Sequence, residues 1–473
     1  MSPIANLPAQ TRIHFVGIGG TGLSAIAHVL LGEGYVISGS DQQASPATDQ
    51  LAARGVKITI GHHAENVASA QLVVVSSAIP LDNPELVEAR ARAIPVVKRA
   101  ELLGRMMQGR KGVAVAGTHG KTTTTAMIAQ MLLEAGLDPT FIVGGVISSL
   151  GTNARAGTGP FVVEADEYDR MFLGLRPWVA VVTNVEHDHP DCYPTFEAML
   201  EAFDQFAELV PQDGVLAACC DNRPARELAQ RLARQGKAVV LYGVMNNGAA
   251  WRAVDVQPNQ AGGSDYVLLR EGQSEGLVRL RVPGLHNVAN SLAALIVAER
   301  LGVPLTRARA SLVEFRGVLR RFEIKGEAGG VTVVDDYGHH PSEIKATLAA
   351  ARARFPGHGI WAVLQPHTYS RTRSLMDEFA RAFSDADHVI ITAIYAAREH
   401  DTLGVSGQDI VARMDDTRRR DVRYIADLDE AASFLLANVK PGEIVITLSA
   451  GDGNRVGEKL LQALMARGAS RVG

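Results

Sequence analysis

The sequence predicts an α/β protein of more than one domain, with parallel sheets between helical layers. Three observations predict it. The chain's 473 residues exceed what one hydrophobic core holds, so two to four domains are expected. Short β-rich runs alternate repeatedly with amphipathic helical stretches. Two separate glycine loops, GIGGTG at 17–22 and GTHGKTTT at 117–124, each stand between a strand-like and a helix-like run.

In chain order, RIHFV (12–16) reads as a strand, GIGGTG as a turn, and LSAIAHVLLGEG (23–34) as a helix ending in glycine. YVISGSD (35–41) and QLVVVSSAIP (71–80) continue the pattern. Helical ELLGRMMQGRKG (101–112) leads into the strand before the second loop, placing a first boundary near 112. FVVEADE (161–167), WVAVVTNVEHDH (178–189) and GVLAACCD (214–221) are further strand-to-loop units. The helical signal fades between 246 and 283, where WRAVDVQ, DYVLLREG and LVRLRV read as antiparallel strands appended to the second domain. HNVANSLAALIVAERLG is a helix again. From GVLRRFEI (317–324) a third alternating series begins, with VTVVDDYGHHP, GIWAVLQPH, DHVIITAIY and GEIVITLSAGDG each backed by helix.

Charge is near balance, 47 basic against 51 acidic residues for a net of −4, which gives no bulk nucleic-acid or membrane signal. Cys192, Cys219 and Cys220 form no CxxC pair and fit no disulfide framework, so reduced thiols in a cytoplasmic protein are expected. MSPIANLPAQ lacks the apolar core of a signal peptide, and no run of 18 apolar residues could span a membrane.

Gly17, Gly19 and Gly22 fit G-x-G-x-x-G between a strand and a helix, with Gly20 and Thr21 inside the loop. The first glycine permits the turn, the second lets backbone approach a pyrophosphate, and the third lets the helix pack closely. Asp41, preceded by Ser40, follows the next strand, where a dinucleotide enzyme would bind a ribose hydroxyl. A diphosphate is expected here. NAD(P) is the rival ligand, and a turn that merely packs a helix on a sheet is the structural alternative.

The second loop is not a Walker A of ordinary length, because counting back from Gly120 puts Val115 where the first glycine belongs. Gly117 precedes the loop instead, making the cradle two residues shorter. Backbone N–H groups from Gly117 through Thr118, His119 and Gly120 to Thr122 are expected to hold phosphate, with Lys121 as a point charge on the β and γ oxygens. Thr122 is the expected Mg²⁺ hydroxyl ligand, and the helix adds its positive end. Thr123, Thr124 and Thr125 read equally as helix-start caps. Glu164 ends the run FVV, and His189 ends the strand run of WVAVVTNVEHDH, as candidate metal ligands. Asp166, Glu167, Asp169, His187 and Asp188 crowd the same region and read as supporting or solvated charge.

GTHGKTTT, EADEYD, TNVEHDH, HNVAN, RRF and DDYGHHP occur in one order, and in this the sequence resembles the Mur ligase family. The match runs from about residue 12 to the end. IHFVGIGGTGLS and QPHTYSRTR select the branch that joins L-alanine to UDP-N-acetylmuramate. The resemblance implies three domains: residues 1–109, Rossmann-like, for the UDP-sugar; residues 110–317, a P-loop-type ATPase with a parallel sheet plus a small antiparallel one; and residues 318–473, Rossmann-like, closing over the amino acid. By position it implies UDP-sugar contacts at Gly17, Gly19, Gly20, Thr21, Gly22, Ser40, Asp41 and Ser77. Nucleotide contacts would fall on residues 117–123, Asn287, Asn290, Arg321 reaching the γ-phosphate, and Asp335 or Asp336. Lys121, Glu164, His189 and Arg321 would be catalytic, and Tyr337, His339, His367 and Arg371 would face the growing peptide. ATP and Mg²⁺, as two ions for which Mn²⁺ can substitute, would be the cofactors. UDP-N-acetylmuramate and L-alanine would be the substrates of a cytoplasmic monomer or weak homodimer, with no nucleic-acid or membrane partner.

Three departures from the family pattern stand out. Residues 190–212 contain no lysine to carry the carbamate that bridges the metals in several relatives. Thr368 stands where some relatives have arginine, and LSAGDGNRVG alters the family's glycine-aspartate turn while keeping Gly451 and Asp452. Two rivals remain. A recycling ligase that adds a preformed tripeptide shares EADEYD and the phosphate loop. A nucleotide-sugar or dinucleotide-binding protein without ligase activity leaves Lys121, Glu164 and Arg321 unexplained.

Overall fold

The computed structural model describes residues 7–8, 10–397, 399–401, 403–414 and 421–469. Residues 1–6 and 9 of the segment read for a signal peptide lie outside them. Three sheets carry the chain. The first comprises β1 (Arg12–Val16), β2 (Val36–Asp41), β3 (Lys57–Ile60), β4 (Leu72–Val75) and β5 (Val96–Lys98), all parallel in the order β3-β2-β1-β4-β5. The order reverses between β1 and β4, and the glycine loop leaves β1 at that switch, where open α/β sheets bind ligands. The helix after it starts at Thr21, inside the loop, and runs Thr21–Gly32.

The central strands are β6 (Gly112–Ala116), β7 (Thr140–Ile147), β8 (Thr152–Arg155), β9 (Phe161–Glu164) and β10 (Val179–Val182). They continue with β11 (Val215–Cys219), β12 (Ala238–Gly243), β13 (Trp251–Pro258), β14 (Ser264–Arg270) and β15 (Gln273–Arg279). The antiparallel arm expected at 251–282 does form, as β13 to β15, but it is continuous with the parallel sheet. β13 pairs parallel with β12 through Tyr242↔Trp251 and Gly243↔Arg252, giving one sheet in the order β15-β14-β13-β12-β11-β10-β6-β9-β7-β8. β6 lies between β9 and β10, so the phosphate loop emerges with a strand end on either side. The helix Lys121–Glu134 behind it is buried on nearly every side, packed between the sheet and the helix Leu285–Arg300.

The third sheet holds β16 (Glu323–Ala328), β17 (Val331–Asp336), β18 (Ile360–Leu364), β19 (His388–Ile391), β20 (Val422–Tyr424) and β21 (Ile444–Leu448), in the order β16-β17-β21-β18-β19-β20. Only β16 is antiparallel to its neighbour.

The two seams between sheets differ in chemistry. One apolar cluster runs from Ile13, Phe15 and Ile26 of the first unit to Phe161, Phe172 and Phe203 of the second, so those units share a core. The third unit has its own apolar clusters and meets the second largely through ion pairs such as Asp188–Arg371 and His119–Glu343. A polar seam of this kind resembles a transient interface and favours relative motion of the third unit.

Candidate active site

β6 ends at Ala116, and the chain turns through Gly117 at φ +134° and Gly120 at φ +84° before the helix begins at Lys121. Both positions exclude a side chain for steric reasons. A Cβ on Gly117 would sit 2.0 Å from Thr183 Oγ1, and one on Gly120 2.6 Å from Asn290 Oδ1. The short cradle is braced by the segment after β10. His119 N donates to Asn184 Oδ1 at 2.9 Å, Glu186 N to Thr118 Oγ1 at 2.8 Å, and Thr183 Oγ1 to the His119 carbonyl at 2.6 Å. These bonds supply the order that two more loop residues would otherwise provide.

Lys121 Nζ donates to the carbonyls of Gly117 at 2.6 Å and Thr118 at 3.2 Å, and pairs with Glu167 at 2.8 Å. Burial would lower its pKa, but Glu167, Asp166 and Glu164 outweigh that and raise it, so the ammonium stays charged. Thr122 and Thr123 are buried at the helix start, whereas Thr125 Oγ1 bonds back to the Lys121 carbonyl at 2.8 Å and caps nothing.

Glu164 ends β9 as expected and accepts from Gly144 N at 2.6 Å. Burial raises its pKa, offset only in part by Gly144, Lys121 and Thr122. His189 does not end a strand. β10 stops at Val182, and His189 lies in the following loop at φ +55°, its Nε2 3.7 Å from both Glu167 Oε1 and Asp188 Oδ2. Glu167, read from sequence as supporting charge, is 1 % exposed and central to the cluster. Burial raises its pKa as well, and its Oε2 is buried with no hydrogen-bond partner. The carboxylates of Glu164 and Glu167 outnumber Lys121, and with Thr122 and His189 near them they supply the oxygen and imidazole donors that a hard divalent cation takes.

A cavity of about 400 Å³ opens from this loop, lined among others by His119, Gly120, Asn290, Arg321, Asp336 and Glu343. Asn287 and Asn290 lie on one helix face as expected, Asn290 donating to Asn287 Oδ1 at 3.2 Å. The Asn287 amide also ties down the Pro283 carbonyl at 2.7 Å. Of the two adjacent aspartates, Asp336 lines the cavity. Asp335 turns away, accepting from Thr447 Oγ1 at 2.7 Å and pairing with Arg320 at 3.0 Å, so a nucleotide contact at Asp335 is not available.

His119 reaches across the seam, Nε2 3.2 Å from Glu186 and Nδ1 3.3 Å from Glu343. Burial alone would lower its pKa, but the carboxylates of Glu343 and Glu186 raise it to about 9. His119, Glu186 and His340 also bring three ligand atoms within 4.8 Å of one another, two of them already engaged in the His119–Glu186 contact at 3.2 Å. Because the folded value exceeds the ordinary 6.5, the imidazolium's stabilisation is complete below pH 6.5 and is lost as pH rises to about 9. The thermal midpoint of the wild type is therefore expected to fall across that window, and His119→Gln to flatten the profile there. Parallel profiles would contradict this.

Three family models match in register with the three sheets: Mur ligase family, catalytic domain (residues 12–111); Mur ligase middle domain (115–298); and Mur ligase, glutamate ligase domain (320–451). The chain belongs to the Mur ligase family. It is 48% identical over 456 residues to the UDP-N-acetylmuramate–L-alanine ligase of Geobacter sp. (strain M21), covering 96% of this chain and 98% of that protein. It is 46% identical to the same-named protein of Caldanaerobacter subterraneus subsp. tengcongensis, covering 95% and 97%. Among solved structures it resembles the UDP-N-acetylmuramate-alanine ligase of Thermotoga maritima at TM-score 0.81 and 28% identity, covering 96% and 99%. A murein peptide ligase from Psychrobacter arcticus 273-4 follows at 0.70 and 26%, with the same coverage.

At the other end of this Mur ligase, the first glycine loop is closed by its own chain. Gly17 N and Ile18 N donate to the Ser40 carbonyl at 2.9 and 3.0 Å, and Asp41 Oδ2 accepts from Gly19 N at 2.8 Å. Ser40 does not face a ligand. It is fully buried and donates to Glu85 at 2.7 Å. Burial would raise the Glu85 pKa, but hydrogen bonds with His14, Asn66 and Ser40 bring it to about 2. Ser77 is exposed and bonded to Asp169 of the central domain at 2.7 Å, so it stitches two units together. Thr21 and Gly20 are exposed at the helix start, and Arg99, unremarked in the sequence, lies against Gly22 with its Nη1 2.5 Å from where a Cβ would be.

On the C-terminal side Tyr337, His339 and His367 group as expected, the two imidazoles 5.4 Å apart and the tyrosine ring 5.7 Å from His339. Burial and Arg371 lower both histidine pKa values, to about 3 and about 4, so both rings are neutral. Arg371 itself is not free for a substrate carboxylate. It is 6 % exposed and pairs with Asp188 at 2.9 Å across the domain seam. Glu186 and Glu343 are the site residues that sequence reasoning missed, and Glu167 is the one it gave only a supporting place. Each sits within or beside a motif singled out for another residue.

Proposed function

We propose that this chain is an ATP-dependent ligase that joins L-alanine to the lactyl carboxylate of UDP-N-acetylmuramate. ATP phosphorylates the carboxylate, the alanine amine attacks the resulting acyl phosphate, and phosphate leaves with ADP as the co-product. The observation that carries this reading is the phosphate loop at the cavity, with His119, Gly120 and Thr122 in its wall and Lys121 held against the loop carbonyls, while Arg321 of the third domain lines the same cavity. Phosphoryl transfer is mostly positioning and charge neutralisation, so a loop lysine in one domain and a cavity-lining arginine from the next are what the reaction requires. The identity and coverage of the alanine-ligase relatives, and the TM-score of 0.81 against 0.70 for the murein peptide ligase, favour L-alanine over a preformed peptide as acceptor.

The amides at Gly120, Lys121 and Thr122, where the loop enters its helix, and the Lys121 ammonium bind the nucleotide phosphates, the Thr118 and His119 amides being bonded to Asn184, and Asn287, Asn290 and Asp336 face the rest of the nucleotide. Thr122, Glu164 and His189, with Glu167 in place of the carbamylated lysine, would hold Mg²⁺, or Mn²⁺ in its stead, as two ions. Bound there, the cation neutralises charge on the transferring phosphoryl group. Gly17 and Gly19 shape the first loop through their bonds to Ser40 and Asp41, and the amides of Thr21 and Gly22 at the start of the helix Thr21–Gly32 hold the UDP diphosphate. His339 Nδ1 lies 3.0 Å from the Tyr337 carbonyl and must donate to it, which leaves Nε2 as an acceptor for the incoming ammonium. The polar seam lets the third domain close and exclude water from the acyl phosphate.

Among the described residues no helix is long and apolar enough to cross a membrane, and Cys192, Cys219 and Cys220 are free thiols. Both support a cytoplasmic enzyme, working as a monomer or weak homodimer. The test is phosphate release from ATP with UDP-N-acetylmuramate, with and without L-alanine, glycine, L-serine or the tripeptide. Release should require both the sugar and L-alanine. A preference for the tripeptide would move the chain to the recycling ligases, and no release with any acceptor would refute the reading.

A further inference from the structure

Glu343 has its two carboxylate oxygens divided between two tasks. Oε2 accepts from the backbone N–H of His339 at 3.0 Å and of His340 at 3.2 Å, the second bond being half of a capping box at the start of the helix Pro341–Arg354. Oε1 faces the other way, 3.3 Å from His119 Nδ1 and 3.5 Å from Arg321 Nη1. One cation comes from the phosphate loop and the other from the third domain, so one fixed anion spans the seam at the cavity wall. Main-chain bonds hold Oε2, so Oε1 is aimed without depending on either cation. Arg321 otherwise lies over the Tyr337 ring, its Cζ 5.2 Å from the centroid, a contact that limits tilt and leaves the guanidinium free to swing.

We infer that Glu343 is the positioning residue for Arg321, orienting the guanidinium toward the phosphate loop and tying that orientation to domain closure through His119. The inference rests on the reading above that Arg321 meets the terminal phosphate. Burial would favour a protonated carboxyl, but His119 and Arg321 hold Glu343 well below the ordinary carboxylate range, so it is an anion. An anion so placed also competes with phosphate for Arg321 in the ground state. Its loss should therefore impair turnover more than nucleotide binding.

Glu343→Gln keeps the size of the side chain and its half of the capping box while removing the charge. The test is a double-mutant cycle of Glu343→Gln and Arg321→Ala, reading kcat, KM for ATP and thermal midpoint. Glu343→Gln is expected to lower kcat by more than tenfold with KM for ATP unchanged or reduced. The double variant is expected within about threefold of Arg321→Ala alone, because a residue acting through another adds nothing once that one is gone. Multiplying losses, or a raised KM at unchanged kcat, would overturn the inference and leave the role of Arg321 standing. Arg321→Ala at wild-type rate would instead overturn that role, and the inference with it.

Discussion

Lys121→Ala is expected to reduce phosphate release by roughly 10³-fold or more while the chain still folds. The ammonium is held by two loop carbonyls and Glu167, and His119, its neighbour along the loop, is spent on Glu186 and Glu343. Removing it takes away about 4 kcal/mol of charge stabilisation at the reacting phosphate. It also strips Glu167 of its buried partner. That carboxyl already has its pKa raised by burial, so it can take up a proton rather than unfold the cradle. The thermal midpoint of the variant should therefore depend more weakly on its partner's loss than the rate does. A variant that releases phosphate at near wild-type rate would show that the loop does not serve ATP.

The second large effect concerns the seam. Asp188 and Arg371 are each 6 % exposed and 2.9 Å apart. Burial would raise the Asp188 pKa, but Arg371 and His189 hold it far below the ordinary range, so the charge persists. Arg371→Met leaves that charge uncompensated, at a cost of about 3–5 kcal/mol to the closed arrangement. Opening the seam hydrates Asp188 and relieves the cost. The variant should thus show a larger radius of gyration by small-angle X-ray scattering and raised KM for ATP, and adding Asp188→Leu should restore compactness. An unchanged radius with only KM for L-alanine raised would instead return Arg371 to the substrate carboxylate, as the family resemblance implied.

What the sequence disclosed was local. GTHGKTTT and FVVE each lie within one strand-turn-helix or strand-end unit, so residue type and neighbours dictate placement, and Lys121, Thr122 and Glu164 fall where those units put them. Central strands of all three sheets, such as β1, β6, β10, β17 and β21, were legible from apolar runs, whereas β3, β5, β7, β8, β12 and β20 were not read as strands. The antiparallel arm was legible too, but its fusion to the main sheet depends on the pairing of Tyr242 with Trp251, which no local pattern encodes. Pairings across domains were invisible for the same reason. Asp188 and Arg371 are 183 residues apart, and Ser342 and Glu186 are 156 apart. Ser40 was read as a ligand contact and the choice between Asp335 and Asp336 stayed open because a polar residue at a strand end looks alike whether it meets a ligand or closes its own fold; the bonds of Ser40 to Glu85 and of Asp335 to Thr447 and Arg320 distinguish them.

The most direct measurement follows the oxygen. With ¹⁸O in the lactyl carboxylate of UDP-N-acetylmuramate, the account predicts one ¹⁸O in each phosphate released during L-alanine-dependent turnover, because the carboxylate oxygen leaves with the phosphoryl group. Released phosphate without label would contradict the acyl-phosphate route and the assignment of this cavity to carboxylate activation.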